Sequence, residues 1–398
     1  MAAEPSESGF ASVARPLGLV TAWQVVASTC FYALFAGTAL LQARLDLSRF
    51  LVGVVVTAAT LGYTVALFPV GAAVDGVGEK PVMVAGLLAL GAGVAGVGLA
   101  DGLPTLLVAA VFLGAAYATA MPATNRAIVT SVGPALRGRA MGIKQVGVTG
   151  GSGVAAVLVV SVAPSVGAWN LGFLVAGGAA LVAAAVFAAG YRGAPGDAWR
   201  LPDVRGLGAN GPYVALSAAG FFLGAALFTT VGYATLYLTD AVGVSVAVAG
   251  LAFAAMQVAG SAGRVAAGAL ADRREAGEAR ANATVLLGQA ALGAALLAAL
   301  AVPELPRPVA LALVVGVGAT VLGFTGLYYA CLTALVPADE VGAATAGGQT
   351  ALNAGALLAP PAFGWLADTV SYRAGWLLLA AGVGVGVAFV AVVARRTA

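Results

Sequence analysis

Apolar residues fill this chain in runs of 20 to 28 residues, broken by short clusters of Gly, Pro, Asp and Arg. Twelve runs are read, at approximately 17–41, 50–74, 81–100, 104–129, 140–163, 169–190, 212–237, 246–270, 281–301, 308–335, 341–366 and 373–394. A bilayer core takes about 20 apolar residues per helical span. No water is available there to satisfy the backbone, so each run predicts a helix. The expected fold class is an all-α polytopic membrane protein with 12 transmembrane helices.

Composition agrees: 61% of the 398 residues are hydrophobic and 9% are charged, where soluble domains carry about a quarter charged. The first 14 residues hold Glu4 and Glu7 and no Lys or Arg, and the run after Arg15 is too long for a cleaved signal, so it is expected to remain as span 1. Cys30 and Cys331 lie in apolar runs far apart in sequence and read as packing residues. With no histidine, a His-based catalytic or metal centre is excluded. No cofactor is implied, and no nucleophile–base cluster suggests an enzyme. Arginine outnumbers lysine 17 to 2, which points to a GC-rich or halophilic prokaryote and makes a lysine inside a span conspicuous.

Charge sets the orientation. With a cytoplasmic N-terminus, the inside segments hold Arg15, Lys80, Arg137, Arg139, Arg192, Arg200, Arg205, Arg273, Arg274, Arg280, Arg395 and Arg396, and the outside loops hold Arg44, Arg49, Arg307 and Arg373. Twelve against four follows the positive-inside rule, so both termini are expected in the cytoplasm and the protein in the cytoplasmic membrane. The net charge of +3 reflects this rule rather than a nucleic-acid surface.

The polar stretch from Arg192 to Gly211 divides the spans into two sets of six: an expected bundle over 1–190, a cytoplasmic loop over 191–211 and a second bundle over 212–398. The sets match internally. Gly71-Ala-Ala-Val-Asp75 recurs as Gly268-Ala-Leu-Ala-Asp272, 197 residues later, and Gly142-Ile-Lys144-Gln145 with Gly150 aligns with Gly347-Gly348-Gln349-Thr350 with Gly355.

These residues resemble the major facilitator superfamily of secondary transporters. The resemblance covers the whole chain and implies two pseudo-symmetric six-helix bundles. That family carries a loop of the form Gly-x-x-x-Asp-Arg-x-Gly-Arg/Lys after spans 2 and 8. The first copy here runs Gly71 to Lys80 through Asp75, Gly76 and Gly78, with Gly76 replacing the usual arginine; the second, Gly268, Asp272 and Arg273, keeps the basic residue. Glycine allows a tight turn and close helix approach, and the aspartate can latch a helix N-terminus. Both copies are candidate gating loops. Two departures argue against a typical drug exporter: the family's span-4 arginine, which would fall near Ala110, is absent, and the span-5 glycine pattern lacks its Gly-Pro ending.

Arg126, Lys144 and Arg264 sit in or just within apolar runs, whereas all sixteen acidic residues fall outside the runs. Charge at membrane depth is costly and marks functional paths, so the expected counter-charge is an anionic substrate. The resemblance implies that spans 1, 4, 7 and 10 line the central cavity, with 2, 5, 8 and 11 beside them. Arg264, in Gly263-Arg264-Val-Ala-Ala-Gly268, looks like the span-8 arginine of monocarboxylate- and oxalate-type members, which binds a carboxylate. Its guanidinium fork suits that group. Lys144 and Arg126 lie closer to the cytoplasmic boundary, where snorkelling to headgroups competes with a substrate role. Neutral candidates are Gln257, seven residues before Arg264, with Gln349, Asn353, Tyr328 and Tyr329 in spans 10 and 11, Gln24 and Tyr32 in span 1, and Tyr233 and Tyr237 in span 7. The expectation is a transporter, working as a monomer, for a small organic anion, with a proton or counter-anion as coupling partner. A proton-coupled exporter of drugs or hydrophobic metabolites is the alternative.

Overall fold

The computed structural model describes residues 7–133, 136–162, 167–197, 199, 205–274, 277–337 and 340–397. Glu4, Arg200, position 163 at the expected end of span 5 and part of the central loop lie outside these residues, as do the side chains of Glu7, Arg139 and Arg205.

Among the described residues the protein is all-helical and forms twelve rods, close to the expected ranges. Span 1 is Glu7–Ala36, continued after Gly37 by Thr38–Leu45. Spans 2 and 3 are Arg49–Val77 and Glu79–Gly98. Span 4 is split into Leu103–Tyr117 and Ala120–Ser131, and span 5 is Arg137–Ala156 ending in a π-helical turn, Val157–Val162. Spans 6 to 9 are Leu171–Gly190, Gly211–Asp240, Val246–Asp272 and Glu278–Leu300. Span 10 is Arg307–Val317, a π-helical turn Gly318–Leu322, and Thr325–Ala334. Spans 11 and 12 are Val341–Thr369 and Tyr372–Arg396.

Eleven of these rods are long and apolar enough to cross a membrane; the twelfth, Val341–Thr369, has the length but not the apolarity. Thr345, Gln349, Thr350 and Asn353 dilute it. Helix starts follow local chemistry. Asn210 accepts from the Tyr213 amide at 3.1 Å, Ser245 from Val248 at 3.3 Å and Ser371 from Ala374 at 3.3 Å.

The two breaks recur at matching places in the two sets of spans. Span 4 breaks at Ala118–Thr119 and span 10 at residues 318–324, and a threonine hydroxyl bonds back to the preceding turn at each. Thr119 donates to Ala116 O at 2.7 Å and Thr320 to Val317 O at 3.2 Å. Such back-bonding competes with the helical ladder and bends helices. Carbonyls freed in a membrane need new donors. In span 10 these are Gln289, to Ala319 O at 3.0 Å, and Arg264, to Leu322 O at 3.4 Å.

By contacts the chain forms two compact units, Met1–Leu34 with Leu61–Leu201, and Phe35–Thr60 with Pro202–Ala398. Small residues set the packing within each. In the first unit, a methyl at Gly151 of span 5 would overlap the Val25 carbonyl of span 1. In the second, a methyl at Gly355 of span 11 would overlap the Phe221 carbonyl of span 7. Gly151, one residue beyond the expected Gly150, is thus the contact that matches Gly355.

Candidate functional site

Lys144 lies about two helical turns inside span 5 and is 1% exposed. It does not snorkel. Its ammonium donates to Asn125 Oδ1 at 2.7 Å and Thr124 Oγ1 at 3.2 Å, both on the second segment of span 4. Both partners are neutral, and none of the ion pairs among the described residues involves Lys144. A polar chain continues from there. The Thr124 hydroxyl approaches Gln24 Oε1 at 3.4 Å, Gln24 Nε2 donates to Ser28 Oγ at 3.1 Å, and Ser28 meets the Tyr117 hydroxyl at 3.2 Å. The chain ends in an aromatic cluster where Tyr117 stacks on Phe31, and Tyr32 lies edge-on to both.

Within the second unit an equivalent arrangement joins spans 10 and 11. The Tyr329 hydroxyl bonds Gln349 Oε1, and Gln349 Nε2 donates to Asn353 Oδ1 at 2.8 Å. Asn125–Lys144 and Tyr329–Gln349 occupy matching positions of the duplication, so the same contact is built once with a cation and once with an amide. Asn353 is fully buried, and its Nδ2 has no partner among the described residues; the same holds for Nε2 of Gln257, 9% exposed. Buried amide donors left open are costly and suit an acceptor brought by a ligand. Arg264 is half-buried against span 10, where Gly326 abuts its side chain and the Leu322 carbonyl accepts from Nη2. That guanidinium therefore has a structural task at the span-10 break.

Arg126 has counter-charges of its own. Nη1 pairs with Asp75 at 3.3 Å, Nε with Glu79 at 3.3 Å, and Nη2 donates to the Pro195 carbonyl at 2.9 Å. Glu79 is completely buried and also accepts from the Ala194 amide at 2.8 Å, the Tyr191 hydroxyl at 3.2 Å and Thr130 at 3.4 Å. Burial raises Tyr191 above its ordinary value, with Ser131 partly offsetting, so its hydroxyl stays a donor at neutral pH. The expectation that all acids lie outside the spans is corrected here. Asp75 is in the last turn of the span-2 helix, and Glu79 begins span 3 in the core.

The first candidate gating loop is therefore one residue wide, Gly78, whose φ of 88° suits only glycine without strain. The central loop straps across it. The Asp197 amide donates to Asp75 O at 2.7 Å, Gly193 lies against Lys80, and a side chain at Gly76 would overlap the Trp199 indole. Glycine in place of the family's arginine makes room for this strap, and Arg126 from span 4 supplies the missing positive partner of Asp75. In the second copy, Asp272 and Arg273 are exposed at the end of span 8. Neither Gly71 nor Gly268 has another described group within 4 Å of where a Cβ would stand.

The tyrosine candidates resolve differently. Tyr328, fully buried, donates to Gly348 O at 3.0 Å and braces span 10 on span 11. Tyr237 packs edge-on against Trp376. Tyr233 donates to the backbone carbonyls of Arg49 and Pro360. It belongs to a cluster that sequence reasoning missed: Arg49 with Asp240, Asp368 and Tyr372. A signal for it existed in Gly364-Trp-Leu-Ala-Asp368, which repeats the Gly-x-x-x-Asp spacing of the gating loops. Thr124, Asn125, Ser28 and Tyr117 were also missed, because short polar residues in apolar runs are too common to stand out.

The comparisons with known proteins extend over the whole chain. The family model described as Major Facilitator Superfamily matches residues 21–329 and 216–398. No curated protein matches the chain. Among solved structures, a bacterial homolog of the human lysosomal transporter Spinster, inward-facing and occupied, superposes with a TM-score of 0.78 at 15% identity, covering 99% of this chain and 98% of that one. The same homolog, inward-facing and unoccupied, gives 0.78 at 16% identity, with 98% of each chain covered. At these identities the structures establish likeness of fold. Taken with the family match over both sets of spans, they make this multi-pass membrane protein a transporter, not an enzyme, and a member of the Major Facilitator Superfamily.

Proposed function

We propose that this protein is a secondary transporter of a small organic anion, most simply a carboxylate, working by alternating access. The observation that carries the reading is Lys144: a buried ammonium whose hydrogen-bond partners, Asn125 and Thr124, are both neutral. An ammonium taken out of water needs a compensating charge, and an anionic substrate provides one for the part of the cycle in which it is bound. The open amide donors of Asn353 and Gln257 support the same chemistry, and Arg264 adds a second cation in span 8. Arg126, neutralised by Asp75 and Glu79, has a gating role in this reading instead of a substrate role.

The duplicated sets, 1–190 and 212–398, are the two halves that rock about the substrate, as secondary transporters built from repeats do. The Lys and Arg distribution supports a cytoplasmic position for both termini and for the Asp75 and Asp272 turns. The solute moves with a proton or against a counter-anion, through a monomer in the cytoplasmic membrane.

The test is uptake of radiolabelled oxalate, lactate and succinate into proteoliposomes. Wild type accumulates at least one of them. Lys144→Met abolishes uptake while the protein remains folded and monodisperse, and Arg264→Ala raises KM at least tenfold. Transport of cationic dyes with no carboxylate flux would replace this reading with that of an exporter of hydrophobic compounds.

A further inference from the structure

The cluster at the start of span 2 lies at the opposite end of that span from Asp75. The Asp368 carboxylate, in the last turn of span 11, accepts from the first two amides of the span-2 helix, Arg49 N at 3.1 Å and Phe50 N at 2.8 Å. Those amides have no partner within their own helix and form its positive pole. The Arg49 guanidinium then closes on two acids, Asp240 Oδ2 at 3.2 Å and Asp368 Oδ1 at 3.6 Å. It also donates to the Tyr372 hydroxyl at 3.1 Å and lies 4.9 Å from the centre of that ring. Tyr372 completes the circuit by donating to Asp240 at 3.0 Å.

Four spans thus meet at one arginine: span 2 through Arg49 itself, span 7 through Asp240, span 11 through Asp368 and span 12 through Tyr372. Two glycines permit the approach: a methyl at Gly364 would overlap the Arg49 carbonyl, and one at Gly53 would overlap the Pro360 carbonyl. About two turns deeper, Thr57 donates to Leu357 O at 2.9 Å.

We propose that Arg49, Asp240 and Asp368 form a releasable latch that holds this face of the transporter shut, built on a third Gly-x-x-x-Asp turn, Gly364 to Asp368. The proposal rests on the alternating-access reading, in which span 2 must leave spans 7 and 11 once per cycle. The cluster suits release. The Arg49 side chain is 33% exposed and the two aspartates 25% each, so water can take over every contact as it parts. Beneath it Tyr233 of span 7 donates to the Arg49 and Pro360 carbonyls, and deeper the seam is made of glycine-to-backbone contacts and the Thr57 bond. The segment Phe35–Thr60, which precedes the Leu61–Leu201 stretch in sequence but packs with Pro202–Ala398, is the piece the latch retains.

The test is accessibility of Thr57→Cys in the full chain, with Cys30 and Cys331 replaced by alanine, to a membrane-impermeant maleimide in right-side-out and inside-out vesicles. With the latch intact, labelling from the Arg49 face is slow. Asp368→Asn and Arg49→Asp each accelerate it at least tenfold from that face alone, and combining Arg49→Asp with Asp240→Arg restores the slow rate. Unchanged labelling in both single variants overturns the latch, as does an equal rise from both faces, which reports general loosening. No substrate enters this assay, so carboxylate uptake in the same vesicles fails or succeeds independently of it.

Discussion

Replacing Arg126 by alanine removes the only cation paired with Glu79 among the described residues, and the cost follows from where Glu79 sits. Its side chain has no exposure, and water cannot replace the lost guanidinium. Leaving one partner of a buried pair uncompensated costs about 3–5 kcal/mol. The Asp75 contact adds little, about 0–1 kcal/mol, because that carboxylate is 47% exposed. The bond to the Pro195 carbonyl contributes about 1 kcal/mol. Glu79 keeps three donors, from Ala194, Tyr191 and Thr130, which places the expected total near the lower end, about 3–4 kcal/mol. Reversible unfolding in mixed micelles, followed by tryptophan fluorescence, measures it. The decisive comparison is a double-mutant cycle. With Glu79→Gln in place, Arg126→Ala should cost no more than about 1–2 kcal/mol, giving a coupling of about 2 kcal/mol between the two positions. Additive losses, or a single-variant loss below 1 kcal/mol, would refute the claim that Arg126 is neutralised inside the protein. Arg126 would then return as a substrate cation.

Two further predictions concern the turns. Gly76→Arg restores the family's residue but overlaps the Trp199 indole, so it should free the central loop; limited proteolysis between Arg192 and Trp199 should accelerate at least fivefold, and unchanged cleavage would show that the strap does not hold the loop. Gly268→Ala meets no described group within 4 Å and lies inside a helix, so it should stabilise the protein by about 0.5–1 kcal/mol. Loss of transport in that more stable variant would show that the glycine is needed in a conformation other than this one, whereas full transport would remove it from the gate.

What could be read from the sequence divides along a physical line. The spans were legible because a 30 Å apolar slab imposes length and composition on every helix, and the polar stretch after Arg192 interrupts that demand. Even the exception is instructive: the least apolar rod, Val341–Thr369, carries Gln349 and Asn353. The two breaks were not legible, because the hydroxyls of Thr119 and Thr320 that bond back to the chain there are a local contact that composition does not register. The charges show the same limit more sharply. Arg126, Lys144 and Arg264 look alike as isolated cations in apolar runs, yet their surroundings differ in kind: two carboxylates, two neutral oxygens, and a carbonyl exposed by a π-helical turn. An ion pair is decided by which acid lies within about 4 Å, and Glu79, 47 positions away from Arg126 in sequence, sits at a boundary where the apolar pattern ends and says nothing about burial. Asp368 and Arg49 are separated further still. Both lie outside the apolar runs because they sit at helix ends, and that position is what brings a carboxylate against another helix's unpaired amides. Charges at span ends in this fold therefore need to be read as pairs across spans, and the Gly-x-x-x-Asp spacing repeated at the ends of spans 2, 8 and 11 is the sequence feature that points to where such pairs form.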